Sequence, residues 1–268
     1  MANYLTFASA EPFTLAVGNA KKNWDGTLYY STDAVSWNEW DGTTVIASAE
    51  HGGEQKIYMR GAGNSVITAI NVGNYINVCF VLTGSNIRCV GNIENLLDYA
   101  TVANGKHPVM GHGCFSFMFY GCTALITSPE LPATTLTGGC YFKMFYGCSN
   151  LITVPSLPAV ILKSECYAYM FDGCTSLRFA ETQSDEYPNE YRIPTTGDGE
   201  SASSALYRTF FNTGGTFKGT IASINTTYYT ANDVIYPSEQ PKTEPLDPQS
   251  LTAGWLVGKR IAAMRGKA

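Results

Sequence analysis

Eight cysteines and three histidines are the residues from which chemistry would first be built. Six of the cysteines form two ladders, Cys114, Cys140, Cys166 and Cys122, Cys148, Cys174, whose members stand 26 residues apart. An even total invites a disulfide framework, but a ladder of three equivalent members cannot pair completely. A thiol is also a good small buried hydrophobe. Buried thiols are therefore expected, with a Cys79–Cys89 bridge as the alternative. The C-x-x-C spacing of structural zinc is absent. His107, His112 and Cys114 lie close together and raise the question of a metal or a Cys–His pair. Cys114 belongs to the repeat's inward face, however, and the two histidines precede it in a Gly-rich entry loop. His51 reads as a hairpin tip. Gly61-Ala62-Gly63-Asn64 has no helix after it, so it fails as a phosphate loop, and no GxSxG, HExxH or Walker pattern occurs. Asp185 and Glu186 lie in a polar stretch, whereas a glycosidase needs two opposed carboxylates across a cleft. The chain is read as not an enzyme, with no catalytic residue, cofactor or metal.

The element behind the cysteines is a sentence repeated three times, from Cys114, from Cys140 as CYFKMFYGCSNL and from Cys166 as CYAYMFDGCTSL. A fixed period of this size marks a solenoid whose coils bury their apolar faces against their neighbours. Read as a turn or two of helix, Cys114, Met118 and Cys122 share a face with Phe115 and Phe119. Gly121, Gly147 and Gly173 stop each turn in a left-handed conformation. Leu125, Leu151 and Leu177 open short extended runs, which the prolines that follow keep short. The interleaved, non-repeating positions point outward on this reading. Phe117, Tyr120, Phe142, Lys143, Tyr146 and Tyr169 are thus the candidate ligand-binding residues, since exposed rings on a rigid scaffold suit sugar stacking and hydrophobic anchoring. The alternative is that these rings pack against residues 180–204 or a neighbouring subunit.

The pattern M-F-x-G-C-[TS]-x-L, followed by P-x-L-P-A at Pro129–Ala133 and Pro155–Ala159, resembles the leucine-rich repeats of the BspA type. Such repeats occur in bacterial surface proteins and in proteins of gut bacteria and their phages. The resemblance covers residues 108–180 and a weaker later copy. It implies a right-handed solenoid used for adhesion or recognition, without catalysis.

The remaining chain supplies context. Net charge is −5 and pI about 5.2, so no attraction to nucleic acid is implied. No run is apolar enough to insert in a membrane, and the first residues lack the basic and apolar regions of a signal peptide. Short strands are expected at 4–8, 13–17, 27–31, 44–47, 56–60, 66–70, 78–83 and 87–90, separated by turn signals, which suggests an antiparallel β-sandwich. Trp24-Asp25-Gly26-Thr27 recurs as Trp40-Asp41-Gly42-Thr43, both suited to tight turns. Ser31–Trp37 resembles the Asp-box hairpin of sialidases, one residue short, and is read as a hairpin with Trp37 in the core. A short helix at 93–99 joins the two parts. Tyr207-Arg208-Thr209-Phe210-Phe211 aligns with Tyr167–Phe171 as a degenerate fourth copy, offset by 40 at Phe210 against Met170.

The expected fold is therefore mainly β with short helices: a β-sandwich over 1–92, then a leucine-rich-repeat solenoid of 26-residue period over 93–235 with an insert at 180–204. A proline-rich linker at 236–248 and a C-terminal helix at 249–268 follow. The expected function is a non-enzymatic structural or recognition protein of a phage virion, such as a tail or head fibre binding the host surface. A bacterial cell-surface adhesin and a glycan-cleaving enzyme are the alternatives. Localisation is the virion, or else the bacterial cell surface. Partners are a host-surface glycan or protein, and other virion proteins or copies of the chain held through the C-terminal helix. Leu251, Trp255, Lys259, Arg260 and Ile261 are the candidate attachment residues, large apolar groups beside the basic end of an acidic chain. Deleting residues 249–268 is expected to leave the melting temperature unchanged and to abolish incorporation into particles. A large drop in melting temperature with incorporation intact would instead make this helix a cap.

Overall fold

The computed structural model describes residues 4–18, 21–68, 79–155, 157–159, 162–177, 204–205, 207–209 and 213, and the short strands Tyr229–Thr230 and Asp233–Val234. The insert at 180–204 lies outside these apart from Ser204, and the linker and C-terminal helix, with all five attachment candidates, lie wholly outside. The fold is mainly β. Among the described residues nine strands precede the repeats: β1 (Leu5–Ser9), β2 (Thr14–Val17), β3 (Thr27–Ser31), β4 (Asn38–Trp40), β5 (Ile46–Ala47), β6 (Ala49–His51), β7 (Glu54–Ala62), β8 (Phe80–Thr83) and β9 (Ile87–Val90). Strands β4 and β6 were not expected. Of residues 66–70 only Ile67 makes a bridge, to Trp24, and 69–70 lie outside the described residues.

One sheet has the order β10-β9-β1-β7-β3-β4, where β10 is Leu125–Thr127 of the first repeat, with β6 also on β7, and a second has β5-β2-β8. Strand β7 alternates as a half-buried strand must: Ile57 and Met59 are fully buried, while Lys56, Tyr58 and Arg60 between them are partly exposed. Trp40 of the first sheet stacks on Trp24 at 5.2 Å and meets Phe80 of the second sheet edge-on at 5.4 Å. Helix α1 (Asn95–Ala103) begins two residues later than expected and breaks helical geometry at Asp98. It lies so close to β7 that a Cβ on Gly61 would stand 1.7 Å from the Leu96 carbonyl oxygen. Only glycine fits there. Of the two Trp-Asp-Gly-Thr copies, Asp41 closes a local turn by accepting from the Thr43 and Thr44 amides. Asp25 does something else, accepting from Ser65 and Val66 across the fold. Trp37 is not in the core: it is half-buried, under the Arg60 guanidinium at 4.2 Å and against Tyr4 at 4.6 Å.

The repeats stack as coils, but not as helices. Amides of Ser116, Met118, Tyr120 and Cys122 donate to the carbonyl three residues back, whereas those of Phe117, Phe119 and Gly121 donate to Phe142, Met144 and Tyr146 of the next coil. Lys143, Phe145 and Gly147 repeat this onto Ala168, Met170 and Asp172, and Tyr169 and Phe171 onto Tyr207 and Thr209. The alternation goes with a left-handed residue at every fourth position: Gly113, Phe117, Gly121; Gly139, Lys143, Gly147; Glu165, Tyr169, Gly173; and Ser204, Arg208; in the first coil Phe115 is left-handed as well. The expected left-handed glycines are found, at φ 69, 71 and 80. The series also corrects the fourth copy by one residue, since Arg208 rather than Thr209 takes the place of Tyr169.

All five expected core positions are buried in each coil. Phe119, Phe145 and Phe171 stack face to face at 5.5 and 5.4 Å, and Phe119 also meets Phe7 and Phe80 of the two sheets. One core thus runs from the sheets into the coils. Strand β10 (Leu125–Thr127) pairs in parallel with β9, and Asn92 bridges Glu130.

No disulfide joins any cysteine. Cys122, Cys148 and Cys174 each donate a thiol proton to the carbonyl of Phe80, Phe119 and Phe145 in the layer before, at 3.0, 2.9 and 3.0 Å. Burial pushes the Cys166 thiol up to about 11 and Cys122 up to about 12, away from the reactive thiolate. Thiol titration is expected to count all eight in denaturant and almost none in the native protein at pH 8. A denatured count below six would refute the buried ladder. Cys148→Ala should cost about 1–2 kcal/mol in urea unfolding, from the small cavity and the lost donor.

Candidate functional site

The variable positions of the coils converge on one stripe. Its central positions, Phe117, Lys143, Tyr169 and Arg208, are the middle members of the left-handed series, at φ 59, 53, 56 and 55. A non-glycine residue there costs about 1 kcal/mol. The flanking positions use glycine in most coils, yet the centre of every coil carries a large ring or a cation. The chain bears strain along this central column, as it also does at Phe115, Glu165 and Ser204.

Rings and cations alternate along it. Phe142 meets Phe117 and Tyr169 edge-on at 5.4 and 5.8 Å, and Tyr207 meets Tyr169 at 5.1 Å. Beside them Tyr120 and Tyr146 stack face to face at 4.9 Å with their planes 4° apart. The Lys143 ammonium lies among four rings: Tyr169 at 4.9 Å, Phe142 at 5.2 Å, Tyr146 at 5.6 Å and Phe117 at 5.8 Å. Each such contact is attractive, since the ring face is the negative end of its quadrupole. In the next coil the tyrosine column changes to Asp172, which is buried and ion-paired to Arg208 at 3.0 Å. Arg208 also lies 5.4 Å from the centre of the Tyr169 ring.

Five of the six expected binding residues line this stripe partly exposed. Phe117 does not fit the expectation of an outward ring, for it is 2 % exposed and forms the floor. The helical reading put it outward; Tyr120, Phe142 and the Lys143 side chain lie against it and cover it. The stripe's rings pack on one another. Tyr207, Arg208 and Asp172 were missed as members. The signal available was Asp172 itself, the one carboxylate in a column otherwise filled by Tyr120 and Tyr146.

Elsewhere, His107 and Cys114 do not meet: His107 binds Glu94 at 2.8 Å, His112 is exposed, and Cys114 is fully buried. His51 sits at the β6–β7 turn and bonds the Tyr58 hydroxyl at 2.8 Å. In the Asp-box-like turn, amides of Ser36 and Val35 and the Ser31 hydroxyl donate to Asp33 and hold its carboxyl well below the usual range. Those bonds close the turn and account for its carboxylate. Among the described residues no group of three His, Cys, Asp or Glu side chains is placed to hold a metal. None of the described helices is long and apolar enough to cross a membrane.

Desolvation raises the Asp172 carboxyl, while the Arg208 and Lys143 charges oppose the rise. Removing the guanidinium leaves a buried carboxylate uncompensated, so Arg208→Ala should cost about 1–3 kcal/mol at pH 7. With Asp172 raised in the folded state, the folded protein holds its proton more tightly than the unfolded chain. The variant's deficit should therefore shrink as pH falls through the titration of Asp172. Urea unfolding at pH 7 and pH 5 checks this, and an equal deficit at both would count against the pair.

Comparison with known proteins returns no match: no family model, no curated protein and no solved structure aligns with this chain.

Proposed function

We propose that this chain is a non-enzymatic recognition protein, built as a β-sandwich continued by a leucine-rich-repeat solenoid of the BspA type, that binds a host-surface glycan or protein through the stripe. The observation that carries the reading is the strained central column. Phe117, Lys143, Tyr169 and Arg208 keep large side chains in a left-handed backbone, and unusual backbone of this kind collects at functional sites. Around the column stand the half-exposed rings of Tyr120, Phe142, Tyr146 and Tyr169, with the Lys143 cation among the last three. Ring faces suit the C–H faces of sugars, and phenol hydroxyls suit their edges. Burial and the neighbouring Tyr146 raise the Tyr120 phenol, so it stays neutral and able to donate at physiological pH. The setting we favour is a phage virion, in a tail or head fibre, where a recognition surface must stand on a rigid support.

The test is host binding by the double variant Tyr120→Ala with Tyr146→Ala. These two rings stack at the edge of the stripe and contribute nothing to the ring ladder of the core, so the fold should survive. Binding to host cells is expected to fall at least tenfold, and unchanged binding would refute the stripe as the contact face. Mass spectrometry of purified particles tests the setting.

A further inference from the structure

A second concave site lies on the proline blocks rather than on the stripe. It is a cleft of about 540 Å³, a size that suits small-ligand binding. Four of its walls are prolines, Pro129 and Pro132 from one coil and Pro155 and Pro158 from the next. These residues offer carbonyls and apolar ring surface but no N–H. Leu131 adds to the apolar floor, and the exposed Glu130 and the hydroxyl-bearing Ser128 and Thr153 also line the cleft. The other ionisable group lining it is His107. The His107 ring is held from behind: its Nδ1 lies 2.8 Å from the carboxylate of Glu94, which is 1 % exposed.

The charge at the cleft is therefore one-sided, because Glu130 is a carboxylate and the charge of His107, whatever its protonation, is matched by Glu94. Two carboxylates stand in or behind it against one imidazole, so its field favours a cation. Its apolar walls favour an aliphatic body attached to that cation. We propose that this cleft binds a primary ammonium carried on an alkyl chain, the chemistry shared by a lysine side chain and a free aliphatic diamine. Glu130 receives the ammonium, the prolines and Leu131 hold the chain, and the Glu94–His107 pair fixes the wall opposite.

Calorimetric titration of the full chain with two probes, 1,5-diaminopentane and N-acetyl-lysine methylamide, tests this. At least one is expected to bind with a Kd below about 10 mM. Pentanoate, a similar chain of opposite charge, should not bind. Glu130 has an exposed side chain, and Glu130→Gln should weaken amine binding about tenfold or more while leaving the melting temperature unchanged. The His107 ring resonances should shift on titration and those of His112 should not. Tighter binding of the capped lysine would identify a protein partner's side chain as the source, and tighter binding of the diamine a free metabolite. Failure of both amines at about 10 mM, equal binding of pentanoate, or full affinity in Glu130→Gln would each overturn the proposal. None of these results bears on host binding by the stripe, so the two sites stand or fall separately.

Discussion

Everything in the repeat region depends on how each coil divides its amide donors. A helix spends all of them on itself, and a strand spends them on its neighbours. Here alternate amides close turns within the coil and the rest reach the next coil. A left-handed residue at every fourth position goes with this division, and it sets the spacing of everything else. It faces equivalent carbonyls and thiols across consecutive layers, and it stacks Phe115, Tyr141 and Tyr167 at 6.0 and 5.9 Å with nearly parallel planes. A packed interior of this density tolerates little change of volume, which is why Cys, an aromatic ring, Met, Phe and Cys return at the same five places.

The first coil needs a partner on its other side, and the two sheets supply it. The Phe115 amide donates to Ile67, Phe80 donates to Met118, and Ile87 donates to Ala124. These are contacts of the kind the coils make with one another, offered by a surface with a different chain path. The sheets thus act as a template for the stack. Phe119, touching both Phe7 and Phe80, shows that the template is packed as well as hydrogen-bonded.

Repetition made the inward positions legible. Three copies at constant spacing marked Cys114, Phe115, Met118, Phe119 and Cys122 as core without any need to know the backbone. The backbone itself was misread, because i, i+4 spacing in so short a segment suits either a helical face or a left-handed residue every fourth position. Phe117 was misplaced for a different reason, since Tyr120, Phe142 and Lys143 cover it. The strands were legible where hydrophobic alternation was strong, as at 27–31 and 87–90. They were lost where strands were brief, as at Asn38–Trp40 and Ala49–His51. The Glu94–His107 pair had no sequence signal, since its members come from the two ends of a helix and meet only through the fold.

The coil interface has one further consequence, for growth. Each coil offers the next the same surface that it accepts from the one before, down to the glycine column, where Gly173 rests a virtual Cβ 3.5 Å from the Gly147 Cα. A register of this sort is indifferent to how many layers it joins. Gain or loss of one whole unit in the gene would extend or shorten the stripe by a single layer and leave both flanks undisturbed. The molecule is in that sense a ruler, on which recombination between near-identical copies can change reach without inventing a new fold.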